Sequence, residues 1–171
     1  MIKATGKISQ AFRMGGQYQV GVEAASAVFA QLPTFPHTVR VGCDGGLLSH
    51  LTVWKNLSLP LEYHALDVRR LGQDALLIFG LCGEDAAFVS GLFERYPDAL
   101  SSYEKRLVGF VRALLLEPEV LVLENVFDGL SAKEYEKALH WKEIFRLRFP
   151  FRILLVLEQG DVMPGQIGYA I

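Results

Sequence analysis

An α/β fold built on a parallel sheet is the class this sequence predicts, and three observations predict it. Residues 120–123 and 153–157 are continuous β-favouring runs, Val-Leu-Val-Leu and Ile-Leu-Leu-Val-Leu, that close in polar Glu124-Asn125 and Glu158-Gln159. Strands apolar on both sides are the kind that parallel sheets bury beneath helices. The segments before and between them have helix length and helical spacing of apolar residues, so strand and helix alternate along the chain.

Composition narrows the class further. A chain of 171 residues suits one domain that buries about 70% of its unfolded surface. At 51% hydrophobic and 21% charged it is richer in apolar side chains than a solitary soluble domain needs, which suits a subunit with a covered face. Lys and Arg number 17 against 19 Asp and Glu, with no basic stripe, which argues against nucleic acid as a partner. The apolar run from Ala75 to Cys82 falls far short of the roughly 20 residues that span a bilayer, and no signal-peptide pattern opens the chain, so a cytoplasmic location is expected. Cys43 and Cys82 form no Cys-x-x-Cys pair and sit with no clustered histidines, so reduced thiols are expected rather than a disulfide or zinc site.

In chain order, residues 7–12 suit a short edge strand, and Gly15-Gly16 turn the chain. Gly16 and Gly21 then precede a helix-like run, 24–32, that stops before Pro33. Glycines at that spacing let backbone N–H groups close around phosphate at a helix N-terminus; the alternative is an unrelated turn and helix. As a phosphate loop, its lysine position holds Val22 and its metal-binding Ser/Thr position holds Glu23. The block that opens at Val39 includes a loop-rich stretch that carries Leu48, Leu51, Trp54, Leu59 and Tyr63. Helical spacing returns at 67–79 and 84–95, with Gly80 and Gly83 as the break between. Ser101 with Glu104 three residues on is a capping box that opens a helix over 101–116, and Pro118 stops it. Ser131 can cap a helix over 132–148, where Glu134, Lys137, Lys142 and Glu143 make a solvated face and His140 and Trp141 read as core or surface residues rather than ligands. Residues 166–171 suit one more short strand.

These residues carry a resemblance. Tyr96-Pro97-Asp98-Ala99-Leu100-Ser101, Arg112-Ala113-Leu114, Glu117-Pro118-Glu119 and the strand ending in Glu124-Asn125 resemble the signature helix and Walker B strand of the ATP-binding-cassette (ABC) transporter nucleotide-binding domains. In that family Tyr-Pro-x-x-Leu-Ser-Gly-Gly-Gln opens the helix and Asp-Glu-Pro closes the strand. Thr52-Val53, Asn56-Leu57 and Pro60-Leu61 are similar to the segment after its Q-loop, particularly in lipid-importer (MCE-type) and lipoprotein-release ATPases, and Asp128-Gly129-Leu130-Ser131 resembles its D-loop. The resemblance covers 39–171 well and 16–32 weakly. It implies a P-loop NTPase-like, ABC-type parallel-sheet core across 1–171 with a helical subdomain at about 62–99. The stretch from Val22 to Cys43 is roughly half of what the family places there, which implies a reduced N-terminal β subdomain.

The resemblance also implies where nucleotide chemistry would sit: Gly16, Gly21, Val22, Glu23, Cys43, Ser101, Ser102, Glu124, Asn125, Asp128 and Glu158. Phosphoryl transfer needs a phosphate cradle, a held metal and a positioned water. Val22 replaces a lysine whose charge-assisted bond is worth roughly 1.5–3 kcal/mol, and Asn125 cannot take a proton from water as a glutamate would. Cys43 replaces the Q-loop glutamine, Ser102-Tyr103-Glu104 replace Gly-Gly-Gln, and Glu158 stands at the switch histidine. On these grounds the expectation is a protein that is not an enzyme: no catalytic residues, no metal site, and no cofactor, with MgATP bound no better than millimolar. The expected role is a non-hydrolysing binding or regulatory component of a lipid-type transport system. Its expected partners are a membrane permease, and a second ABC ATPase subunit or another copy of itself. Leu48, Leu51, Trp54, Leu59 and Tyr63 would form the docking surface. The alternatives are a weak or heterodimer-dependent ATPase, and a cytoplasmic interaction protein outside transport.

Overall fold

The computed structural model describes residues 13–21, 30 and 37–158. Four strands, β1 (Gln17–Gly21), β2 (Thr38–Val41), β3 (Val120–Glu124) and β4 (Ile153–Glu158), form one sheet in the order β1-β4-β3-β2. Each pairing is parallel; Val120 lies beside Ile153 and Thr38, and Gln17 beside Leu154. Parallel neighbours need a crossover, and helix α5 (Ala132–Arg148) supplies the one between β3 and β4. The crossover from β2 to β3 contains α1 (Val53–Tyr63), α2 (Leu71–Leu81), α3 (Ala86–Phe93), a short 3₁₀ turn at Pro97–Ala99, and α4 (Ser102–Leu115).

The helices begin where short polar side chains satisfy first-turn N–H groups. Ser101 accepts from Glu104 N and returns its own N–H to Glu104 Oε2 at 2.6 Å, and Ser131 and Glu134 repeat the box at α5. Thr52 caps α1 and Asp85 caps α3 in the same way. After α4, Glu117 takes a left-handed φ of 49° and Pro118 prevents continuation.

The sheet is buried on both faces, as its apolar strands predict. Leu121, Leu123, Leu154 and Val156 join Val41 in the main core with α4 and α5, where Phe110 stacks on fully buried Trp141 at 4.9 Å. The alternate residues Val120, Val122, Ile153, Leu155 and Leu157 form the other face, with Tyr18 and Val20 against them. Burying a ring such as Trp141 or Phe110 contributes about 2–3 kcal/mol each.

Three sequence expectations need correction. Gly16-x₄-Gly21 is strand, since Gln17 to Gly21 run register-for-register beside Leu154 to Glu158, so this spacing is not a phosphate loop. Helix α2 starts at Leu71 rather than 67, because Asp67 accepts from Arg69 N at 2.9 Å and pairs with its guanidinium, holding the segment in a turn. The stretch 53–63 is helical, despite Pro60 within it. The expected edge strand at 7–12, the helix at 24–32 apart from residue 30, the strand at 166–171, and Val22 and Glu23 lie outside the described residues.

Candidate functional site: the carboxyl edge of the sheet and its flanking loop

Open parallel sheets bind ligands beyond the carboxyl ends of their strands. The register sets Gly21 beside Glu158 and Glu124 beside Leu157, and the loop after β2 carries exposed Cys43 to the same edge. Gly16 lies at the opposite end, ahead of β1. Glu124 Oε2 accepts from Arg40 Nη2 at 2.6 Å, and Glu158 Oε2 from Gln19 Nε2 at 2.5 Å. Asn125 has a left-handed φ of 52°; its N–H bonds Leu157 O at 2.8 Å while its buried Oδ1 has no hydrogen-bond partner. Among the described residues no three His, Cys, Asp or Glu side chains gather to hold a metal, and the Glu124 carboxylate is already engaged by a guanidinium.

The loop between β2 and α1 is tied from two sides. Buried Arg106 on α4 donates from Nε to Cys43 O at 2.8 Å, and from Nη1 to Val126 O at 3.1 Å and Asp128 O at 2.6 Å, joining the loops that follow β2 and β3. Arg112, one and a half turns on, donates to Gly46 O at 2.9 Å and Gly45 O at 3.0 Å. Burial pushes the Arg112 guanidinium below its usual range, against the opposing pull of the Asp44 carboxylate. Gly45 (φ 70°) and Gly109 let loop and helix backbones touch: a Cβ on Gly109 would sit 2.5 Å from Gly45 O. On the α1 side, Asn56 accepts from Leu48 N at 2.7 Å and turns its amide nitrogen to the carbonyls of Leu48, Leu51 and Thr52. Sequence reasoning missed both arginines and Gly109 as site residues; Gly45-Gly46, which meet Arg112 and Gly109, were a signal for those two, and Arg106 had none.

Ser101 and exposed Ser102 sit at the N-terminus of α4, where Ser101 lines a 320 Å³ cleft with Glu84, Glu104, Tyr103 and Lys137. Tyr103 turns inward from this cleft. It is 6% exposed, tucked beside Trp141, and donates its hydroxyl to Glu84 Oε1 at 3.0 Å; Glu84 also pairs with Lys137 at 2.8 Å. Burial, then the Glu84 charge, pushes the Tyr103 phenol above its ordinary range. Glu104 likewise folds back onto Ser101 N and Arg95 rather than projecting outward.

The five expected docking residues separate. Leu48, Leu59 and Tyr63 are exposed, Tyr63 by 84%, whereas Leu51 is half-buried and Trp54 leans edge-on against Phe93 at 5.3 Å and over Gly72. Trp54 flanks the buried face of α1 (Val53, Leu57, Leu61), and Leu59 and Tyr63, four residues apart, share the other side. Leu77 and Leu81 add a further exposed pair on α2 that sequence reading left out. A 420 Å³ cavity opens at the amino end of β3, lined by His37, Glu119, Arg148 and Arg152, and none of the expected site residues lines it.

No family model matches the chain. It is 32% identical over 129 residues to the molybdenum import ATP-binding protein ModC of Rhodospirillum rubrum, a match covering 74% of this chain and 33% of that protein. It is 34% identical over 97 residues to the sulfate/thiosulfate import ATP-binding protein CysA of Synechococcus elongatus (56% and 26% covered), and 28% identical over 117 residues to the methionine import ATP-binding protein MetN of Rhizobium meliloti (68% and 31%). The chain thus spans about a third of the length of these relatives. Among solved structures, cbiO1 from Clostridium perfringens, part of the ABC transporter complex cbiONQ, superposes with a TM-score of 0.66 at 14% identity over 88% of this chain and 70% of that one. A dimeric ATP-binding cassette in a post-hydrolysis state bound to ADP and Pi gives 0.67 at 14% over 88% and 77%.

The parallel sheet and these matches define a P-loop NTPase-like fold of the ATP-binding-cassette type. In sequence the chain is similar to import ATP-binding proteins, and in fold to ABC nucleotide-binding domains. The expectation of a non-enzyme is overturned by the matched relatives, which are import ATP-binding proteins. One ground for that expectation, the phosphate-loop reading of Gly16 and Gly21, meets strand β1 instead, while Val22 and Glu23 lie outside the described residues.

Proposed function

We propose that this chain is an ATP-binding-cassette subunit of a membrane import system for a small solute, docking a permease through Leu48, Leu59 and Tyr63 and acting beside a second cassette subunit. The observation that carries it is the exposed set on the loop and outer side of α1 in a chain whose relatives are import ATP-binding proteins. Those relatives are named for molybdenum, sulfate/thiosulfate and methionine, which favours a small solute over the lipid cargo expected from sequence. Aromatic and aliphatic side chains at the centre of an interface contribute about 2 kcal/mol or more each. Tyr63→Asp and Leu59→Asp, both at exposed positions, should leave the melting temperature nearly unchanged and weaken co-purification with the co-expressed permease by roughly 30-fold. Unchanged co-purification in both folded variants refutes the docking face.

The same proposal holds that this chain alone binds nucleotide weakly, with hydrolysis depending on the second subunit. Glu124 paired with Arg40 and Glu158 bonded to Gln19 support that reading. Calorimetry should give a dissociation constant on the order of millimolar for MgATP; micromolar binding by the isolated chain rejects it.

A further inference from the structure

Beyond the docking face itself, the structure points to how that face is held. Arg106 is 7% exposed, and its three recorded bonds all go to backbone carbonyls, on the loops after β2 and β3. The Glu134 carboxylate feels the Arg106 charge, but every recorded hydrogen bond of the guanidinium goes to main chain, and such bonds fix the backbone that surrounds it. Arg112 repeats the arrangement on Gly45 and Gly46, and its planar fork suits two adjacent carbonyls as a lysine ammonium does not. Between the two arginines, Gly45 presses on the Gly109 backbone, so loop and helix meet without an intervening side chain.

Four of the loop amides are bonded as well. Gly45 N bonds Gly42 O at 3.0 Å, Gly46 N bonds Asp44 Oδ1 at 2.8 Å, Leu48 N bonds Asn56 Oδ1 at 2.7 Å, and Leu51 N bonds Leu48 O at 3.1 Å. Val53 N closes the segment on Arg95 O at 2.8 Å. With these four amides bonded and the carbonyls of Cys43, Gly45 and Gly46 gripped from a neighbouring helix, the first half of the loop is tied to that helix.

We propose that Arg106 and Arg112 are positioning residues that lock the loop 42–52 onto α4, so that the docking face is assembled before nucleotide arrives. This rests on the docking reading for its consequence, though not for the lock itself. Binding to the permease would then pay no ordering entropy in this loop, and nucleotide would act elsewhere than on the loop's shape.

Amide hydrogen exchange on the ligand-free chain tests it. Gly45, Gly46, Leu48 and Leu51 should exchange as slowly as amides inside α4, and addition of MgADP should leave their rates unchanged. Arg112→Ala should speed exchange of these loop amides by at least about tenfold while β3 and β4 keep their protection, and Arg112→Lys should fail to restore it. Arg106→Met should do the same, and Arg112→Ala carries the test if that variant does not fold. Loop amides exchanging at unprotected rates in the unmodified chain, loop protection altered by MgADP, or protection unaffected by Arg112→Ala overturns the lock. A loop loosened by Arg112→Ala that still co-purifies fully with the permease refutes the docking reading instead, leaving the lock supported.

Discussion

Replacing Gly109 by alanine sets two ordinary effects against each other. Position 109 is in the interior of α4, where glycine is about 1 kcal/mol less favourable than alanine, so helix propensity alone predicts stabilisation. The added Cβ, however, would stand 2.5 Å from Gly45 O, 2.8 Å from Gly45 Cα and 3.0 Å from Gly45 C, all backbone atoms of a loop whose carbonyls Arg112 holds. Relief needs loop and helix to part by roughly 1 Å, and overpacking of this kind costs about 1–3 kcal/mol. The separation also lengthens the Arg112 bonds, which are of the charge-assisted class worth roughly 1.5–3 kcal/mol when well formed. Weighed against the propensity gain, the net is a destabilisation on the order of 1–3 kcal/mol, or a melting temperature lower by roughly 3–10 °C for a domain of this size. Gly80→Ala and Gly91→Ala are the controls, since a Cβ at either helical position meets nothing within 4 Å. Each should gain up to about 1 kcal/mol in urea unfolding. If Gly109→Ala is stabilised to the same degree as these two, the backbone contact between loop and helix is not there and the locked loop goes with it.

Two further predictions concern titratable groups. Burial pushes the Glu104 carboxyl up, but Ser101 N–H and Arg95 outweigh it and hold the group below its ordinary value. An acid depressed by folding stabilises the native state fully above its unfolded pKa of about 4.3 and loses that contribution as pH falls through the lower folded value. Glu104→Gln should therefore flatten the acid limb of urea midpoints measured from neutral pH down to about pH 3, and an unaltered limb counts against the capping-box account. Burial, then the Glu84 charge, pushes the Cys82 thiol far up, whereas Cys43 is exposed. Ellman's reagent should label one thiol in the native protein and the second only at the global unfolding rate; two equally fast thiols would show that the Cys82 environment opens locally.

Much of the fold was legible because its signals are local. The capping boxes at Ser101 and Ser131, the stop at Pro118 and the apolar runs 120–123 and 153–157 each act within a few residues, and α4, α5, β3 and β4 follow them closely. Where the reading failed, a local signal had two meanings. Gly16 and Gly21 have the spacing of a phosphate loop, but Gln-Tyr-Gln-Val between them alternates with period two, and pairing with β4 decides for strand. Asp67 looked like helix because the helical spacing of apolar residues continues through it, but its side chain bonds to Arg69 instead.

The site was less legible because its decisive contacts are between side chains and distant main chain, which leaves little pattern in residue types beyond the Gly45-Gly46 pair. Arg106 lies 63 residues from the Cys43 carbonyl it holds, and on a helix with one apolar face an arginine reads as solvated. Tyr103 makes the same point in reverse. Judged by residue type, a phenol in place of glycine blocks whatever approaches the start of α4. Placed in the fold, it is drawn inward by Trp141 and Glu84, and Glu84 is also held by Lys137 of α5. A hydroxyl bonded to a carboxylate that is itself ion-paired stabilises more than either contact alone, because each orients the other. Tyr103 therefore ties the segment between α2 and α3 to α5 through α4. Tyr103 thus supplies a structural cross-link at this position, and it leaves the helix N-terminus at Ser101 and Ser102 facing solvent.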